Sequence, residues 1–275
     1  MESDKRRHLQ VKTSYIVACG ISDVGRERSE NEDSMFLDEA GRFLLLADGM
    51  GGHERGAEAS ATAIKVIKEY FRPELVSDEL QNITGGSGIP SEILCFLSLV
   101  DTAVNNANST LYERNREEGL ARYMGTTVVG LVPIEGRYVL WFHVGDSRLY
   151  RWRDSLLKSL TTDHSARAEW LSGGRTGSQP AKNIITRAIG PKEAVSAETA
   201  WDNWQQDDIY ILCSDGLSDM LKEDQITQIL NAETEKSVAD IATRLIDAAN
   251  EAGGKDNVSA VVCRICSPCV QSLTL

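Results

Sequence analysis

Long hydrophobic runs are absent from this 275-residue chain. None approaches the ~20 apolar residues that span a bilayer, so no membrane partner is expected. The opening residues, Met1-Glu2-Ser3-Asp4-Lys5-Arg6-Arg7-His8, have no apolar stretch behind them. That lacks the form of a secretory signal, and a cytoplasmic protein is expected. Positive charge is also scarce: 29 Lys and Arg stand against 41 Asp and Glu, a net charge of -12. The shortage argues against nucleic acid as a partner, which would need a basic face. It suits a site that gathers cations, although solubility alone also calls for such a charge. No Pro/Ser/Gly-rich linker divides the chain; the most linker-like stretch, Asn82 to Pro90, is short and lies between two helix-like segments. One domain of this size buries a core without disulfide staples.

Cys19, Cys95 and Cys213 sit in apolar runs and read as buried thiols. Cys263, Cys266 and Cys269 form a Cys-x2-Cys-x2-Cys run. The spacing admits a zinc or iron–sulfur site, but no fourth ligand is evident. The alternative is a strand end followed by a tail.

Strand-like runs rich in Val, Ile, Leu and aromatics cover Tyr15–Ile21, Arg42–Ala47, Thr126–Val132, Arg137–Val144, Ser147–Trp152, Asp208–Ser214 and Val258–Ile265. Pro133-Ile134-Glu135-Gly136 reads as a hairpin turn, and Gly145-Asp146 as a second tight turn joining two antiparallel partners. Helical periodicity covers Ala57–Phe71, Ser91–Glu118 and Ser237–Ala252, with a shorter helix over Lys222–Leu230. Strands come in consecutive groups, which favours an α+β fold with antiparallel sheets and helices outside.

Three apolar strand-like runs end at or near an acid: Leu44-Leu45-Leu46 before Asp48, Phe142-His143-Val144 before Asp146, and Ile209-Tyr210-Ile211-Leu212 before Asp215. Carboxylates at a partly dehydrated sheet edge repel one another unless positive charge lies between them. A pair of hard divalent cations with oxygen ligands accounts for the pattern.

In order along the chain stand Arg28-Ser29-Glu30-Asn31-Glu32-Asp33, Ala47-Asp48-Gly49-Met50-Gly51-Gly52, Gly125-Thr126-Thr127, Gly145-Asp146-Ser147-Arg148 and Thr162-Asp163-His164-Ser165. Ile185-Thr186-Arg187-Ala188-Ile189-Gly190, Ser214-Asp215-Gly216-Leu217 and Asp256-Asn257-Val258-Ser259 follow. This series resembles the metal-dependent Ser/Thr protein phosphatases of the PPM, or type 2C, family in their compact bacterial form. The likeness runs from about Ser14 to Arg264. It implies a phosphatase domain over residues 14–266 with tails at 1–13 and 267–275. It implies a four-layer α-β-β-α sandwich with a binuclear metal site at one end.

The resemblance assigns roles residue by residue. Asp48 bridges two divalent cations, Mn or Mg, and the Gly49 carbonyl ligates one of them. Asp215 and Asp256 are further ligands. Glu32 and Asp33 bind metal directly or orient bound waters. Arg28 grips the substrate phosphate with its planar guanidinium. Read alone, Asp48-Gly49 would be an ordinary turn, Asp256 a capping acid and Arg28 a surface arginine. Asp146, Gly125, Thr126 and Thr127 read as structural, with Asp146 satisfying backbone donors in its turn.

Met50 fills a slot where some members carry a proton-donating His, and a thioether cannot donate. His53, three residues on, or a metal-bound water is the candidate general acid. Arg122 stands where the family places an Asp of a third metal site, so a third cation is not expected. A flexible flap is expected within His164–Lys182, where Ser172 to Ser178 is glycine-rich. The implied reaction is hydrolysis of phosphoserine and phosphothreonine esters by metal-activated water, reversing a bacterial Ser/Thr kinase. The implied partner is that kinase or its target, and a monomer is expected. The alternatives are a non-catalytic phosphatase-fold scaffold and a metal-dependent phosphatase of small molecules.

Overall fold

The computed structural model describes residues 6–51, 54–83, 88–119, 122–134, 137–181, 183–233 and 235–266. The strands are β1 (Arg6–Lys12), β2 (Ile16–Asp23), β3 (Asp33–Leu37), β4 (Leu44–Met50), β5 (Gly125–Thr126), β6 (Val128–Ile134), β7 (Tyr138–Val144), β8 (Arg148–Arg153), β9 (Leu156–Ser159), β10 (Glu198–Asn203), β11 (Ile209–Cys213) and β12 (Val258–Ile265). The helices are α1 (Glu54–Tyr70), α2 (Pro73–Asn82), α3 (Ser91–Glu117), α4 (Ala166–Ser172), α5 (Asp215–Ser218), α6 (Glu223–Glu233) and α7 (Val238–Glu251). One sheet runs β1-β2-β12-β11-β8-β9; the other runs β10-β7-β6-β4-β3, with β5 beside β4.

The central strands are apolar at both parities because both of their faces are covered. In β11, Ile209, Ile211 and Cys213 face helices α5–α7, while Tyr210 and Leu212 face the opposite sheet. In β4, Leu45 and Ala47 face α1 and α3, while Leu44 and Leu46 face the sheet interface. Strand side chains alternate between faces, so such a run fits only a strand roofed on both sides. The α-β-β-α sandwich follows, as the resemblance implied. Helix α7 starts at a reciprocal capping box between Ser237 and Asp240 and buries Val238, Ile241, Ala242, Leu245 and Ile246 on the first sheet.

The structure departs from the sequence reading at several places. Residues 6–12, expected as tail, form edge strand β1 and pair residue for residue with β2. Their polar sequence gave no apolar run because an edge strand has one free side. Strands β3, β9 and β10 and helices α2, α4 and α5 were likewise unread; α2 buries no side chain. The first part of the expected flap is helix α4, capped by Ser165 Oγ accepting from Ala168 N at 3.3 Å. Residues 173–181 after it form turns and bends with exposed side chains apart from partly buried Pro180.

Gly145-Asp146 does not join a hairpin. Strand β7 pairs with β6 and β10, whereas β8 pairs with β11 and β9, so the turn carries the chain from one sheet to the other. Both strands are roofed on both faces, and local spacing does not say which neighbour each takes. Strands β6 and β7 do form the other expected hairpin, with Ile134 opposite Tyr138; Glu135 and Gly136 lie outside the described residues.

Cys19, Cys95, Cys213 and Cys263 are buried free thiols and Cys266 is partly exposed; Cys269 lies outside the described residues. Cys263 lies in the layer between the sheets, and burial pushes its thiol up, which disfavours it as a thiolate ligand. No helix among the described residues is long and apolar enough to cross a membrane.

Candidate active site

Antiparallel pairing gathers the acids at one end of the sandwich. Asp48 lies near the end of β4, and Asp33, first residue of β3, is its direct cross-strand partner. Asp146 follows the end of β7, Asp215 opens α5 after β11, and Asp256 precedes β12. Like charges placed opposite one another destabilise a sheet.

The backbone of Asp48 is held at both polar groups. Its N–H donates to Thr127 Oγ1 at 3.0 Å, and its carbonyl accepts from Thr126 Oγ1 at 2.8 Å and Thr127 N at 2.9 Å. The two threonines, read from sequence as small residues near the site, act through their hydroxyls. A Cβ on Gly49 would collide with the carbonyl oxygen of Gly56, which only glycine avoids. Gly56 in turn packs on the Glu32 carboxylate, where a Cβ would press on Oε1.

Asn257, to which the sequence reading gave no role, ties the acidic loop together. Its Oδ1 accepts from Glu32 N at 2.8 Å, and its Nδ2 donates to Val24 O at 3.0 Å and Glu30 O at 2.8 Å. A buried amide beside a strand start was the available signal. Asp33 Oδ2 accepts from Ser259 Oγ at 2.6 Å.

The opposite oxygens are left over. Among the described residues Asp33 Oδ1, Glu32 Oε1 and Asp146 Oδ1 are buried without a hydrogen-bond partner. Burial, with Asp215 and Asp256 nearby, pushes Asp33 up to about 8. Burial and Asp215 push Asp146 up to about 7; burial and Asp256 push Asp215 up to about 6. Asp48 is also well above the carboxylate range through burial and then Asp33 and Asp215. Asp146, read as a structural turn residue, therefore belongs electrostatically to the cluster. The donor set is all hard oxygen, with orphaned lone pairs and unrelieved repulsion. It fits divalent cations.

Arg28 is the nearby cation. Its Nη2 donates to Asp256 Oδ2 at 2.7 Å, with side-chain exposures of 50 % and 36 %. A pair so open is worth ~0–1 kcal/mol and exchanges readily. His53 lies outside the described residues, and Arg122 is exposed. A cavity of about 440 Å³ opens beside Asp146 and Asp215, walled by α4 and by the segment from Ser218 to Asp224.

A second constellation lies behind the Gly145 turn. His143, His164 and Glu198 bring one ligand-type atom each to within 4.8 Å of one another. The two imidazoles stack at 4.4 Å and 13°, so no ion lies in both ring planes, and Arg187 Nη1 sits 3.1 Å from His164 Nε2. This group is a packing and hydrogen-bonding unit.

Comparison with known proteins agrees with the geometry. The serine/threonine phosphatase stp of Listeria monocytogenes is 29% identical over 252 residues, covering 88% of this chain and 92% of the relative. The crystal structure of the Mycobacterium tuberculosis serine/threonine phosphatase PstP/Ppp superposes with a TM-score of 0.77 at 32% identity, over 92% of this chain and 99% of that one. The catalytic domain of PstP in complex with two manganese ions superposes with a TM-score of 0.73 at 31% identity, over 92% and 99%. The Protein phosphatase 2C pattern matches residues 25–262, most of the chain, and the chain belongs to the protein phosphatase 2C family.

Proposed function

We propose that this chain is a protein serine/threonine phosphatase that hydrolyses phosphate monoesters on phosphoserine and phosphothreonine. Asp48, Gly49, Asp215 and Asp256, with Asp33 and Glu32 beside them, hold two divalent cations. The observation that carries this reading is the convergence of buried carboxylates with partnerless oxygens on Asp33, Glu32 and Asp146. Once bound, two such cations supply neutralising charge and a water acidic enough to attack phosphorus near neutral pH. Manganese and magnesium both suit the oxygen donors.

The chain's own residues do the positioning. Thr126 and Thr127 fix the Asp48 backbone, so its carboxylate is aimed before anything binds. Asn257 fixes the loop that carries Glu32. Arg28 leaves Asp256 and takes two phosphate oxygens with its fork of N–H donors. The departing alkoxide takes its proton from water or from His53. Cys213 is no nucleophile, because burial pushes its thiol up to about 12. The scaffold alternative requires lost carboxylates, and here they are assembled. The substrate is a phosphorylated cytoplasmic protein, a Ser/Thr kinase or its target. The active unit is residues 14–266 together with edge strand β1 (Arg6–Lys12), which closes one sheet edge, acting as a monomer.

Phosphate release from a phosphothreonine peptide, assayed with Mn²⁺, Mg²⁺ or chelator, tests the reading. Release that needs metal and is lost in Asp215→Asn is the expected result; no release from folded protein under any metal would overturn it. Arg28→Ala is expected to raise KM for the peptide roughly 10–100-fold, the worth of charge-assisted hydrogen bonds. Its melting temperature should barely move, because the Asp256 pair is exposed. Steady-state kinetics beside a thermal melt check both halves.

A further inference from the structure

Asp146 sits on the turn from Gly145 to Arg148, which crosses between the sheets. Arg148 pairs with Cys213 and Ser147 Oγ meets Thr127 Oγ1 at 2.6 Å, but Gly145 and Asp146 have no strand pairing of their own. Yet Asp146 is 7% exposed, and its Oδ1 has no hydrogen-bond partner among the described residues. Something else must hold the turn in place.

The segment Thr161–His164 runs alongside it and grips it at successive points. Thr161 Oγ1 accepts from Leu149 N at 3.0 Å. Thr162 O accepts from His143 Nε2 at 2.9 Å. Asp163 takes Arg148 in a two-pronged pair, Nε at 2.8 Å and Nη2 at 2.7 Å. His164 closes a ring on Gly145: its own N–H donates to Gly145 O at 2.9 Å, and its Nδ1 accepts from Gly145 N at 3.1 Å. Gly145 has φ +106, and a Cβ there would press on Thr127, so this backbone can present both groups to His164.

The Nδ1 bond requires an unprotonated nitrogen. Burial, then His143 and Arg187, hold His164 down to about 4, so it accepts throughout the neutral range. The ring is fixed from every side. It stacks on His143, and Nε2 faces Glu198 Oε2 at 3.3 Å and Arg187 Nη1 at 3.1 Å. The His164 carbonyl accepts from Thr186 N at 2.8 Å, and the Thr186 hydroxyl donates to Glu169 of α4 at 2.7 Å.

We propose that Asp163 and His164 are positioning residues that clamp the two ends of the Gly145–Arg148 turn and thereby hold Asp146 in the carboxylate cluster. The proposal rests on the two-cation reading above. Groups that orient metal-facing carboxylates are worth 10–100-fold in metal affinity when removed.

The test is Mn²⁺ binding by the full chain after chelator treatment, measured by isothermal titration calorimetry. His164→Phe keeps an aromatic ring against His143 and loses the Nδ1 acceptor. His164→Asn keeps a side-chain acceptor near the Nδ1 position. His164→Phe should weaken Mn²⁺ binding about 10–100-fold, and His164→Asn should recover most of that loss. Arg148→Lys, which breaks the two-pronged contact to Asp163, should weaken binding in the same direction and serves if the Phe variant fails to fold. Wild-type Mn²⁺ affinity in folded His164→Phe, or in Arg148→Lys where the Phe variant does not fold, would overturn the proposal. Equal weakening by Phe and Asn, showing that the acceptor is irrelevant, would overturn it too. If the wild-type chain itself binds no Mn²⁺, the two-cation reading falls first.

Discussion

Asp48→Asn is expected to cut phosphopeptide turnover by about 1,000-fold and, at the same time, to stabilise the chelator-treated protein. The activity loss follows from removing the central charge that places cations against the substrate; deleting one such preorganised group costs ~10²–10³ in kcat. The stability gain follows from the geometry. Asp48 faces Asp33 across the strand pair and meets Asp215, and burial makes that repulsion count. An amide removes the charge and keeps the shape, while Thr126 and Thr127 still hold the backbone. Removing one buried carboxyl that folding shifts well above its ordinary value is worth ~1–3 kcal/mol, a rise of a few degrees in a domain of this size. Kinetics beside calorimetry decide the matter. Retained metal-dependent turnover would remove Asp48 from the site, and a marked fall in melting temperature without metal would mean that the cluster is not under repulsion.

The chelator-treated protein is also expected to lose stability as pH rises from about 6 to 8, the reverse of ordinary carboxylate behaviour. Asp33, Asp146 and Asp215 go from an ordinary value of 3.8 to about 8, 7 and 6 on folding. The folded chain thus binds protons more tightly than the unfolded one at these sites. Their contribution is fully present below about pH 4 and is lost as pH passes through the folded values. His143 and His164 act oppositely: burial lowers both from 6.5, so their neutral packing is lost as pH falls. Three raised acids outweigh two lowered imidazoles, so the histidines offset part of the loss and the net trend with rising pH stays downward. At 1.36 kcal/mol per unit shift, the loss from pH 6 to 8 is on the order of 3 kcal/mol. Saturating Mn²⁺ should abolish or reverse it, because cations favour the ionised carboxylates. Denaturant melts at pH 6, 7 and 8, with and without Mn²⁺, give the slope. A profile that rises between pH 6 and 8 without metal would show that these acids are not raised by burial and by one another.

Much of the site was legible because its chemistry is written in short runs. Asp48, Asp215 and Asp256 each carry a glycine or asparagine beside them and an apolar strand before or after. The core strands were legible for a related reason. Strand β11 is apolar at every position, and β12 nearly so, because each is roofed on both faces. Edge strands β1 and β10 were not, since one side of their ladder needs no partner and their faces tolerate Arg, His, Glu and Asp.

By itself the sequence determined the α+β class and the identity of the acids, since periodicity and residue type are local properties, while the four-layer arrangement came from the family resemblance. Which strands became neighbours was decided only in three dimensions. So were the crossing at Gly145 that sends β7 and β8 to different sheets, the cross-strand meeting of Asp33 with Asp48, and the clamp from Asp163 and His164 onto the Asp146 turn. The crossing is set by the strands that β7 and β8 each pair with, and the other two contacts join residues 15 to 19 positions apart. Their energy comes from contacts that exist only once both sheets have closed around a common core, so no local pattern announces them.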